Sequence, residues 1–148
     1  MTERVRSRSG AHRLGLAVAL IAGAAALPAS ATAQEPDTLS NLDGVFSTEQ
    51  AEEGRETFEE SCTACHAAGF FTASTFQRSW SDRALYWLSK QIRTTMPEDN
   101  PGSLDRREVA DILAYILSLN GYPAGELPLP HEDDALRLIV LEAMPDGG

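Results

Sequence analysis

The residues with the most chemistry in them stand together, in the run Cys62-Thr63-Ala64-Cys65-His66. The pattern C-x-x-C-H is the attachment signature of c-type haem. On a helix, positions i and i+3 share a face. Two thiols so placed can each add across one vinyl group of the same porphyrin edge. The imidazole follows at once, held beneath the ring centre, where it can bind iron. Other uses of these side chains each lack something. A redox dithiol calls for a βαβ setting, and the flanking sequence offers none. Structural zinc needs four ligands, and His131 stands far off in an acidic segment. A disulfide is the default for two cysteines in an oxidising compartment, but it leaves His66 without a task.

With His66 in one axial position, the other falls to Met96, Met144 or His131. Met96 precedes Pro97 at the end of a predicted helix; taken by itself it also reads as a gap-filling core methionine. His/Met ligation fills both axial sites with protein atoms and raises the reduction potential. Such iron is closed to substrate and suits electron transfer. Five-coordinate iron would instead suit an enzyme such as a peroxidase, or a gas sensor.

The address supports attachment outside the cell. Arg4, Arg6, Arg8 and Arg13 precede an apolar run from Leu14 to Leu27, and small-residue sites follow at Ala29-Ser30-Ala31 and Ala31-Thr32-Ala33. This is the layout of a secretory signal peptide, with cleavage expected after Ala33. The run is shorter than the roughly 20 residues of a membrane span, so no membrane anchor is expected. Paired arginines are absent from the leader, which points to export of the unfolded chain. The expected location is the periplasm or another exported one. The leader holds four of the 12 basic residues and one of the 22 acidic ones, so the formal charge of −10 becomes −13 without it. Nucleic acid is therefore excluded as a partner. A redox protein with a basic docking patch is the natural complement.

The elements that must position the motif can be read in outline. Residues 34–45 are polar and turn-rich, and read as a flexible lead. Ser47 with Gln50 makes a capping-box pattern, predicting a helix from about Thr48 to the first cysteine. Ala51, Gly54 and Phe58 form its narrow apolar stripe, although Gly54 costs roughly 1 kcal/mol in mid-helix relative to Ala. Residues 67–76, with Phe70, Phe71 and Phe76, read as a loop over an apolar surface. Ser79 or Ser81 is placed to cap a helix over about 82–94, with Ala84, Leu85, Leu88 and Ile92 on its apolar face. Trp80, Tyr86 and Trp87 are placed either to line a cofactor or to pack a core. Asp105 with Glu108 predicts a second capping box, Leu104 and Val109 a hydrophobic staple, and the helix runs to Leu119. Asn120-Gly121 stops it, and Pro123 cannot continue it. Beyond it, residues 126–148 read as a tail wrapped along the surface, with a mixed period from Ala135 to Glu142 that suits helix or short strand.

So arranged, residues 46–125 resemble a class I (mitochondrial-type) cytochrome c domain of the bacterial single-haem kind. Gly54 and Phe58 match the family's close-packed positions on its first helix, and Leu113-Ala114-Tyr115 the matching stretch of its last. The run Met96-Pro97-Glu98-Asp99-Asn100-Pro101-Gly102 resembles its methionine loop. The resemblance implies a small all-α fold, three to four helices around one covalent haem c. It implies Cys62, Cys65, His66 and Met96 as the residues holding haem and His66 and Met96 as the iron ligands, and it gives Gly54 a reason, the close approach of two helix backbones. It also implies an electron carrier rather than an enzyme, exchanging electrons with a quinoprotein dehydrogenase or a terminal oxidase. A permanent subunit of such a complex, docked through the apolar tail from Leu136 to Leu141, is the alternative. One feature departs from the family: many members have a proline soon after the motif, whose carbonyl holds the histidine ring, and none lies between His66 and Met96.

Overall fold

The computed structural model describes residues 37–144. The expected leader, 1–33, and the first three residues of the expected lead lie outside the described residues, as do 145–148. In chain order the elements are β1 (Leu39–Ser40), a 3-10 turn (Asn41–Asp43), α1 (Thr48–Ser61), α2 (Gly69–Thr72), α3 (Ser74–Trp80), β2 (Arg83–Ala84), α4 (Leu85–Thr95), α5 (Arg106–Leu119), α6 (Asp133–Arg137) and β3 (Ile139–Leu141).

Helices α1 and α5 run where the sequence places them, and their caps explain why. The Ser47 hydroxyl accepts from the Gln50 N–H at 3.2 Å. At α5 the Asp105 carboxylate accepts from the N–H groups of Arg107 and Glu108, and Glu108 accepts in return from the Asp105 N–H at 2.7 Å. Leu104 and Val109 are both buried beside that cap. The Gln50 side chain does not complete the first box. Its Nε2 donates to Asp111 Oδ1 at 3.0 Å and to the Leu129 carbonyl at 3.1 Å, and its Oε1 accepts from the Leu129 N–H at 2.6 Å. A buried primary amide gains three partners that way, and it ties α1 to α5 and to the tail.

The α1–α5 crossing is the centre of the fold. A Cβ added at Gly54 would lie 1.8 Å from the Asp111 carbonyl oxygen. Only a residue without a side chain lets the backbones meet there. Around the crossing, Phe46, Phe58, Leu85, Val109, Ile112 and Leu113 are buried.

The all-α expectation with three to four helices needs correction. The fold is helix-rich, with six α-helices and a small three-stranded sheet among the described residues. Its order is β1-β3-β2, with Leu39 opposite Ile139 in the parallel pair and Arg83 opposite Leu141 in the antiparallel one. Strands of two or three residues carry no readable period. The expected loop over 67–76 is helical through α2 and the first part of α3. The α4 helix begins three residues late, because Asp82 takes a left-handed conformation (φ 62°). Ser79 and Ser81 do not cap it; their hydroxyls donate back to the Thr75 and Gln77 carbonyls at the end of α3.

The lead and the tail are joined rather than loose. Leu39 and Ser40 pair with β3, and Asn41 is fully buried, accepting from the Glu142 N–H at 2.7 Å and donating to its carbonyl. The ambiguous stretch from Ala135 is both things in turn, α6 and then β3. Leu129, Leu136, Ile139 and Leu141 are buried in the main core. Because β3 is the central strand, with both edges paired, it is not free to dock onto another protein.

Candidate haem site

A cavity of about 1210 Å³ is bounded by the end of α1, the α2–α3 pair, α4 and the inner side of α5. Ligand pockets commonly hold about 300–1,000 Å³, so this space suits a macrocycle better than a small substrate. Its walls are chiefly apolar: Phe58, Leu88, Ile92, Leu104, Ile112 and Ile116 form the side toward the core.

The C-x-x-C-H run hangs on the end of α1. Cys62 caps that helix, its N–H bonded to the Phe58 carbonyl at 2.9 Å. The Cys62 carbonyl in turn accepts from the N–H groups of Cys65 (3.1 Å) and His66 (2.9 Å). One further helical turn is thereby closed, and both thiols and the imidazole line the same cavity. Cys62 is half-buried, and burial pushes its thiol up. Cys65 is exposed.

The end of α4 borders the same cavity. Met96 caps that helix in an extended conformation (φ −122°, ψ 151°), as expected for a residue before proline. Its side chain lines the cavity. His131 and Met144 do not; His131 lies beside Glu132, 3.3 Å away. The structure therefore brings Cys62, Cys65, His66 and Met96 together and leaves the two other candidate ligands elsewhere.

Aromatic rings close the third side. His66 lies 5.9 Å from Phe70 and 5.8 Å from Phe71, centre to centre. Phe71 touches Phe58 and Phe76 edge-on at 5.5 and 5.3 Å, and Phe76 meets Trp80 at 6.3 Å. Of the three large aromatics left open by the sequence, only Trp80 lines the cavity. Tyr86 is buried under Arg137, 3.5 Å from its ring, and Trp87 is exposed beside Lys90. Sequence reasoning missed Asn120, whose side chain bonds to Phe71 and Gln77; it gave no signal beyond a helix stop. The charged residues lining the cavity, Glu60, Glu98 and Asp99, are all acidic and exposed, and no lysine or arginine is among them.

Two thiols one turn apart, an imidazole next to them, a thioether on the same apolar space and a wall of rings form a donor set that fits haem c. Together, fold and site define a c-type cytochrome domain. Residues 49–116 match the family model described as cytochrome C oxidase, cbb3-type, subunit III, a stretch that takes in α1, the whole C-x-x-C-H run, Met96 and most of α5. The chain thus contains a c-type cytochrome domain, with a haem-binding, electron-transfer role and covalently bound haem c with iron as its cofactor. No curated protein and no solved structure matches the chain.

Proposed function

We propose that the protein is an exported, soluble carrier that shuttles single electrons through one haem c, joined by thioether links to Cys62 and Cys65 and ligated by His66 and Met96. The observation that carries this reading is that all four side chains line one cavity while His131 and Met144 do not. Bound haem supplies an iron that changes its charge by one. The chain's residues set the terms of that change. Held by both His66 and Met96, the iron would have no site left for substrate, and the thioether would raise its potential. The rings of Phe70 and Phe71 lie against the imidazole and cover part of it. The exposed lining residues, Cys65, Phe70, Glu60, Glu98 and Asp99, mark the mouth where a partner must approach.

Acidic side chains at that mouth suit a partner with a basic patch, met transiently through a small interface. A quinoprotein dehydrogenase as donor or a terminal oxidase as acceptor fits the class. Export rests on the leader read in residues 1–33. Among the described residues no helix is long and apolar enough to cross a membrane. A second reading, a permanent subunit of an oxidase, is favoured by the description of the matched family. Native purification separates the two: a free carrier elutes alone, a subunit with its complex.

The ligand assignment is tested by Met96→Ala. The ferric spectrum should lose the absorption band of thioether-bound iron, the potential should fall, and carbon monoxide should bind the ferrous protein rapidly. The same losses from Met144→Ala, with Met96→Ala unchanged, would assign the sulfur to Met144.

A further inference from the structure

We propose that Asn120 is a positioning residue for the haem site: it braces the aromatic wall against His66 from the far end of α5. The inference rests on the reading of His66 as an iron ligand and deepens it. The α2–α3 wall has little of its own to hold it. Its helices are four and seven residues long, and neither has a side-chain N-cap. None of its residues is buried. Helices this short are marginal without tertiary support.

Asn120 supplies that support with every polar group it has. Its Nδ2 donates to the Phe71 carbonyl at 3.0 Å and to the Ile116 carbonyl at 2.7 Å. Its Oδ1 accepts from Gln77 Nε2 at 3.0 Å. The orientation of the amide is chemically forced. Two carbonyl oxygens can be met only by its NH2 group, which leaves the oxygen for Gln77. One side chain thus joins α5 to both α2 and α3. The ring of the residue it holds, Phe71, lies edge-on to His66.

The consequence for iron follows from exposure. With Phe71 released, more water reaches the imidazole side of the cavity. Ferric iron carries one more positive charge than ferrous iron, so water stabilises it more, and the potential falls. A looser wall also lets outside ligands in sooner.

The test compares holoprotein variants by hydrogen exchange, spectroelectrochemistry and the rate at which ferric iron takes up added imidazole. Asn120→Ala should raise amide exchange across residues 69–80 by about tenfold, the equivalent of one to two lost hydrogen bonds. It should lower the potential and speed imidazole capture. Asn120→Asp keeps the acceptor for Gln77 and loses the donor to Phe71, so exchange should rise over 69–72 and much less over 74–80. Gln77→Ala, the milder change, should loosen 74–80 alone. Asp105→Ala removes a cap from the same helix; it should lower thermal stability and leave potential and capture unchanged. The brace is refuted if Asn120→Ala behaves like Asp105→Ala, with melting lowered and exchange over 69–80 at its wild-type rate. Faster exchange without any change in potential or capture would overturn the link to iron. Failure of the ligand reading shows separately, as a wild-type spectrum without histidine-ligated low-spin haem.

Discussion

A methyl group at position 54 would stand 1.8 Å from the Asp111 carbonyl oxygen and 2.3 Å from its carbon. Those atoms are backbone and cannot rotate away. Gly54→Ala gains about 1 kcal/mol of helix propensity, but it must push α1 off α5, and overpacking of this kind costs about 1–3 kcal/mol, occasionally more. Contact with a main chain belongs at the top of that range, so the clash wins. The melting temperature of the holoprotein should fall by several degrees, since about 1 kcal/mol moves a domain of this size by roughly 4–8 °C. An unchanged melt would mean that the helices slide apart at no cost. Gly54 shows how far single residues can be read. Its oddity in mid-helix is plain in the sequence, yet its cause lies 57 positions away at Asp111, and only the resemblance to a known family supplied a reason. The C-x-x-C-H run is the opposite case, because its chemistry is contained in five adjacent residues. Met96 stands between them: a sulfur before a proline is visible, but its place in the wall of the cavity that His66 also lines is a tertiary fact.

Between elements, the bond that matters most outside the cavity joins Gln50, Asp111 and the backbone of Leu129. It holds α1, α5 and the tail together, and it contains a carboxyl. Burial raises the Asp111 carboxyl from its ordinary value, opposed chiefly by the hydrogen bond from Gln50. A carboxyl raised in the folded state is stabilising below its unfolded value, and that contribution is lost as pH climbs through the folded value. Asp111→Asn keeps an acceptor for Gln50 and removes the titration. Its urea midpoint relative to wild type should therefore rise with pH from the ordinary carboxylate value upward, and level off once pH passes the folded value. A constant difference at every pH would show that Asp111 does not titrate on folding. Asp133 has the opposite sign: hydrogen bonds from Arg93 and Arg106 lower it, so its contribution is present at neutral pH and lost as pH falls. Elements that end on strong local signals were legible, as α1 on Ser47 and α5 on Asp105 and Asn120 show. The α2–α3 pair was not, because its helices are short, uncapped and held by Asn120 from 40 or more residues away. Strands β1 and β2 were not, because two residues cannot display an alternation. Gln50 was read as half of a cap, since the sequence gives no hint that Leu129 comes within reach.

At the scale of the whole molecule, charge and size both bear on function. The chain carries a formal charge of −10, and the cavity mouth shares that sign through Glu60, Glu98 and Asp99. At low salt, a small cationic redox complex should oxidise the ferrous protein faster than an anionic one of equal driving force. The gap should narrow near 0.1 M salt, where screening acts over about 10 Å. Neutralising the mouth by Glu60→Gln, Glu98→Gln and Asp99→Asn should close most of the gap. Neutralising Glu56, Glu126 and Asp134, which do not line the cavity, should close little; equal effects from the two sets would leave net charge alone as the cause. Size argues for dependence on the cofactor. A chain of this length buries about two-thirds of its unfolded surface, and here a cavity of about 1210 Å³ lies among the residues that should be core. Phe58, Leu88, Ile92, Ile112 and Ile116 all face it, so without haem the apolar faces of α1, α4 and α5 lose their common filling. Folding stabilities are only about 5–15 kcal/mol, so apolar walls left facing water instead of a common filling take a large share of that margin. The haem-free chain, made as Cys62→Ala with Cys65→Ala, should therefore show little helical circular dichroism and no cooperative melt. Native helicity in that variant would mean that the walls collapse onto one another and that the protein, not haem, completes its own core.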